Sequence, residues 1–132
     1  MTVVVGYIPN ALGEAALTAG IDEARRRGTD VIVVNTTRAD RLVDPRYAQD
    51  AEAQALEARL EESGMPYAVR RFTSTDLAAD DVLKVADEVG ADVIVIGLRH
   101  RTAVGKLILG STAQTILLDA TCPVLAVKLP RH

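Results

Sequence analysis

The run "DVIVIG", Asp92 to Gly97, places β-branched aliphatic side chains at four successive positions, Val93 to Ile96. Successive side chains of a strand point to opposite faces, so this strand is apolar on both sides and needs cover on both. That is the mark of a parallel strand held between two helix layers. The rest of the sequence supplies the layers by alternation. "TVVVGY" (Thr2 to Tyr7) reads as a strand, and a helix from about Ala11 to Arg27 follows and stops at Gly28. "DVIVVNT" (Asp30 to Thr36) is a second strand. "DPRYAQDAEAQALEARLEESG" predicts a long helix with Asp44 as N-cap, Pro45 in the first turn and Gly64 as the stop. "YAVRRF" is a more polar strand suited to a sheet edge. A helix from about Leu77 to Val89 then ends at Gly90, and a short helix from Ser111 to Ala120 leads into a fifth strand, "CPVLAVK". The alternation predicts an α/β fold: an open, doubly wound, five-stranded parallel sheet with helices on both faces. At 132 residues the chain is expected to form a single domain over 1–132.

Composition removes several classes of function. The net charge is −3 with both signs interspersed, so no long-range field favours nucleic acid or an anionic membrane. Aromatic residues make up 3% of the chain, with Phe72 the one phenylalanine and no tryptophan, so stacking platforms for single strands are missing too. No apolar run approaches the roughly 18 residues of a membrane span. The start "MTVVVGYIPN" lacks a basic leader segment, which makes a cytoplasmic location the expectation. Cys122 is the only cysteine and rules out an intrachain disulfide.

In open parallel sheets, ligands gather beyond the carboxyl ends of the strands where the winding direction reverses. The loops after Tyr7, Asn35 and Ile96 are therefore the candidate site. Gly97 ends a strand without a Cβ, leaving room for close approach to its backbone. Gly110-Ser111 opens a helix whose first-turn N–H groups and dipole suit an anion such as phosphate. Arg99, Arg101 and Lys106 carry positive charge between them. Turn and cap chemistry accounts for the same glycines equally well. Two common phosphate loops do not fit. Lys106 is followed by Leu107 rather than Ser or Thr, and "GYIPNALG" is not the dinucleotide fingerprint.

The segment "GLRHRTAVGKLILGST", followed by "DATCPVLAVK", resembles the universal stress protein domain family, and the resemblance extends over the whole chain. The ATP-binding members of that family show Gly, two residues, Gly, nine residues, then Gly and Ser or Thr. Here Gly97 fills the first position, His100 the second and Gly110-Ser111 the last. The resemblance implies a Rossmann-like sheet of the adenine nucleotide alpha hydrolase-like type that holds ATP or AMP at the ends of the first, second and fourth strands. Carried over by position, it implies that Gly97 faces the ribose and phosphates, and that Gly110, Ser111 and Thr112 face the phosphates. Tyr7, Pro9 and Asn35 flank the adenosine, with Arg99 and His100 nearby. It also implies a homodimer paired through the last strand, Val124 to Lys128, and a role as a stress sensor or regulator.

Two departures stand out. Where nucleotide-binding members carry an Asp after the first strand, this chain has Ile8, and losing such an acceptor costs on the order of 1–3 kcal/mol, about tenfold to hundredfold in affinity. His100 adds a side chain where the motif has none; it either blocks the site or reaches a phosphate. The alternative reading is an interaction module of the same fold that binds no nucleotide. A slow ATPase ranks below both, because no residue offers itself as a general base. Mg²⁺ would come only with a bound triphosphate, and none of Asp40, Asp44, Asp80, Asp81 or Asp92 is singled out to hold it. The only histidines are His100 and His132, so the chain offers no clustered metal ligands. Cys122, before Pro123 at the start of a buried strand, reads as a small hydrophobe rather than a nucleophile.

Overall fold

A computed structural model of the protein describes residues 2–7, 11–38, 46–74, 78–98 and 111–128. Among these residues nine elements alternate: β1 (Thr2–Tyr7), α1 (Ala11–Arg27), β2 (Asp30–Arg38), α2 (Arg46–Ser63), β3 (Tyr67–Ser74), α3 (Ala78–Val89), β4 (Val93–Leu98), α4 (Ser111–Asp119) and β5 (Val124–Lys128). The five strands form one parallel sheet in the order β3-β2-β1-β4-β5. The winding starts at β1, runs outward through β2 to β3, and then reverses to β4 and β5. The reversal lies between β1 and β4.

Strand parity divides the core in two. Val3, Val5, Val31, Val33, Val93 and Val95 point to one face and pack with Ala16, Leu17 and Ile21 of α1 and Leu56 and Leu60 of α2. Val4, Ile32, Val34, Ile94 and Ile96 point to the other, under Val82 and Val85 of α3 and Ile116 of α4. The "DVIVIG" strand is thus interior and covered on both sides, as its sequence requires. The polar β3 is an edge strand. The predicted second and third strands run two residues further than their apolar patterns indicate, to Arg38 and Ser74, because the two strands continue to pair beyond the core. The helix stop at Gly28 closes as a Schellman motif, with φ of +63°, Gly28 N–H on the Arg25 carbonyl at 3.3 Å and Thr29 N–H on the Ala24 carbonyl at 3.0 Å.

α1 lies unusually close to the sheet. A Cβ on Gly20 would fall 2.3 Å from Cγ2 of Val5, and a Cβ on Gly97 would fall 2.5 Å from the Leu12 carbonyl oxygen. The helix therefore gives up a side chain over β1, and β4 gives one up under the helix. Glycine inside a helix ordinarily costs about 1 kcal/mol relative to alanine. At position 20 the sign should reverse, because the added methyl must push apart a packed helix and strand, at a cost of about 1–3 kcal/mol. Gly20→Ala is expected to lower the urea midpoint; a midpoint that rises would contradict the packing described.

Candidate functional site

The register sets positions near the carboxyl side of three strands in one row. Tyr7 of β1 stands opposite Asn35 of β2. Gly97 lies two residues beyond the Val95 that pairs with Val5, which puts it level with Tyr7 on the other side. Gly97 in turn pairs with Val127 of β5. Asn35, Tyr7 and Gly97, each from a different strand, thus stand in one row toward the carboxyl edge, with Asn35 three residues before the end of β2, and the last two flank the point of reversal. Ser111 begins α4 as predicted, with Ser111 exposed and Thr112 half-buried. Ile8, Pro9, Arg99, His100 and Gly110 lie outside the described residues, as do Arg101 and Lys106.

The missing Cβ of Gly97 already has a use within the protein. Its side of the strand is filled by the first turn of α1, where the Leu12 carbonyl carbon and Cβ would lie 3.0 and 3.1 Å from the added atom. The close approach that the sequence suggests for a ligand is made there by the chain's own backbone. The contact also sets the amino terminus of α1 against the carboxyl end of β4, so the positive end of the helix dipole lies at the same edge as the row of strand ends.

Tyr7 is almost fully buried against α1, and its hydroxyl donates to Oε1 of Glu14 at 2.9 Å. The other oxygen of that carboxylate accepts from Nη1 of Arg59, whose Nη2 donates to Oγ1 of Thr18 at 2.8 Å. One network thus ties the end of β1 to α1 and to α2, and its directly bonded partners lie up to 45 residues apart. Sequence periodicity had no means of finding it. The Glu14 and Arg59 side chains are partly exposed, so the ion pair contributes at most about 1 kcal/mol, and its consequence is orientation of the Tyr7 ring.

The amino edge of the sheet has different chemistry. Oγ1 of Thr2 donates to Oδ1 of Asp30 at 2.9 Å, and Oγ1 of Thr121 donates to Oδ1 of Asp87 at 3.0 Å. Oδ2 of Asp92 is buried with no hydrogen-bond partner among the described residues. At the opposite, carboxyl edge, Asp80 and Asp81 stand in the first turn of α3, which follows β3, where the helix dipole favours them. Among the described residues no group of three or more His, Cys, Asp or Glu side chains could hold a metal ion. No described helix is long and apolar enough to cross a membrane. Cys122 is a half-buried free thiol, pushed up by burial first and then by the negative charge of Asp87.

Comparison with known proteins gives one consistent result. A model of the universal stress protein family matches residues 1–128. A universal stress protein of Mycolicibacterium smegmatis is 46% identical over 126 residues, covering 96% of both chains. Among solved structures, a universal stress protein from Archaeoglobus fulgidus is similar with a TM-score of 0.78 and 31% identity, over 97% of this chain and 98% of that one. A structure of the universal stress protein from Archaeoglobus fulgidus in complex with dAMP has a TM-score of 0.67 and 26% identity over the same shares.

The environment of Cys122 makes a direct prediction. A raised thiol pKa favours the neutral form in the folded chain. That contribution to stability is complete below the ordinary thiol range near 8.5 and is lost as pH rises through the folded value. Because the thiolate is the reactive species, Cys122 in the native chain at pH 8 should react with an aromatic disulfide at least about tenfold more slowly than in the unfolded chain. Equal rates would contradict the burial.

Proposed function

The chain belongs to the universal stress protein family, and on that premise we propose that it binds an adenine nucleotide, ATP or AMP, and acts as a cytoplasmic stress sensor or regulator rather than a catalyst. The observation that carries this reading is the meeting of Asn35, Tyr7 and Gly97 in one row at the reversal point between β1 and β4. The dAMP complex of the 26%-identical relative supports it. In this reading the phosphates lie toward Gly110, Ser111 and Thr112, where the N–H groups and dipole of α4 favour an anion. Gly97 borders the ribose. Tyr7, Ile8, Pro9 and Asn35 border the adenosine, with Arg99 and His100 as neighbours. Mg²⁺ would accompany ATP and not AMP.

A second reading keeps the fold and drops the nucleotide, leaving an interaction module. Two observations favour it. Ile8 stands where a carboxylate would help, and Gly97 is explained by its packing on Leu12 without any ligand. Calorimetry with ATP, ADP and AMP separates the two readings. Nucleotide binding predicts saturable heat with at least one of the three, weakened about threefold to tenfold in Ser111→Ala by loss of one hydrogen bond. No heat at millimolar nucleotide would leave the interaction module.

We also propose a homodimer through β5. This strand is one of the two edges of the sheet, and its residues Val124 to Lys128 carry a partly exposed Leu125 and a single charge. An open edge of this kind is stabilised by pairing with a second copy across a two-fold axis. Light scattering at micromolar concentration should give twice the mass of the chain; the mass of one chain would contradict the proposal.

A further inference from the structure

The edge strand β3 brings to the site row a side chain that no motif marks. Arg71 pairs in register with Asn35. It shares strand parity with Tyr67 and Val69, which pack on the α1 and α2 side of the sheet, and Asn35 shares parity with Val31 and Val33 on that same side. Arg71, Asn35 and Tyr7 therefore stand level on one face of three neighbouring strands.

The adjacent arginine shows what an occupied position looks like. Arg70 points to the other face, where its guanidinium carbon lies 5.7 Å from the centre of the Phe72 ring. Its two terminal nitrogens lie 3.4 and 3.5 Å from Oε2 of Glu88. Arg71 is exposed, and neither it nor the half-buried side chain of Asn35 makes a hydrogen bond or ion pair among the described residues. A cation and an amide thus stand side by side with their donors unspent.

Their chemistry and position select the end of the ligand they suit. Arg71 is three strand spacings from Gly97, roughly 14 Å, and so lies at the far end of the row from the α4 terminus that favours phosphate. A guanidinium is planar, offers only donors and stacks on π faces. A side-chain amide offers a donor and an acceptor together, the pair that matches the N6 and N7 edge of adenine. A planar, acceptor-bearing ring fits both groups at once. We propose that Arg71 is a specificity-determining residue that holds the nucleobase, its guanidinium against the ring and Asn35 at the ring edge. The proposal rests on the nucleotide reading above and extends the site from β2 to β3.

The test titrates adenosine and AMP into the unaltered chain, Arg71→Ala and Arg71→Lys, with circular dichroism confirming that each is folded. A base contact predicts that Arg71→Ala weakens both ligands by the same factor, about threefold to thirtyfold. Arg71→Lys should not restore binding, because an ammonium has no flat face to stack. Unchanged affinity in Arg71→Ala overturns the proposal while nucleotide binding stands. Weakening of AMP alone, or full rescue by lysine, would assign Arg71 to phosphate and overturn it as well. If the unaltered chain binds neither ligand, this proposal and the nucleotide reading fall together.

Discussion

The seating of α1 on β1 and β4 is the contact on which the rest of the structure depends. Gly20 on the helix and Gly97 on the strand each remove the side chain that would hold the two layers apart. Protein interiors are close-packed, so a helix seated this tightly cannot tilt or slide without a clash. The seat lies over the two strands between which the winding reverses. The position of α1 therefore fixes how the amino terminus of one helix, the end of β1 and the end of β4 face one another at the carboxyl edge.

Other parts of the molecule reinforce that position. The Tyr7, Glu14 and Arg59 network anchors the end of β1 to the first turns of α1 and to the carboxyl-terminal half of α2. Leu17, Leu56 and Leu60, all with little or no exposed surface, fill the space between the two helices and the sheet. On the opposite face, Ile116 holds α4 against the cluster under α3, so the helix that begins at Ser111 is positioned by its buried residue and not by its exposed first turn. Rigid elements thus meet at the edge from both faces of the sheet. A ligand there would find donors already oriented, which lowers the ordering cost of binding.

Much of the fold was legible in the sequence, because strand and helix periods are local signals. The strand at Thr2 to Tyr7 and the helix at Ala11 to Arg27 have the predicted limits, and the stops at Gly28, Gly64 and Gly90 all adopt positive φ. The other elements differ by a few residues at their ends, where pairing partners and not propensity decide. The candidate site was legible only in outline. Tyr7, Asn35 and Gly97 each stand near a break in the apolar pattern, and the register sets them level, although Asn35 lies within β2. The contact of Gly97 with Leu12, the clamp on Glu14 from Arg59, and the level position of Arg71 were not legible. Each depends on a pairing between segments far apart in sequence, which no periodic pattern encodes. The local spacing of Gly97, His100 and Gly110 does not encode what surrounds Gly97, whose Cβ side is occupied by backbone from α1.

The proposed nucleotide site lies at the carboxyl edge of the sheet, over β1, β2 and β4, and away from the amino edge. Amide hydrogen exchange with and without AMP tests this most directly, because it reads protection along the whole backbone. Binding at the carboxyl edge predicts added protection at the ends of β1, β2 and β4 and in the first turn of α4, with the amino edge around Thr2, Asp92 and Cys122 unchanged. Protection concentrated at the amino edge, or none at saturating AMP, would contradict it.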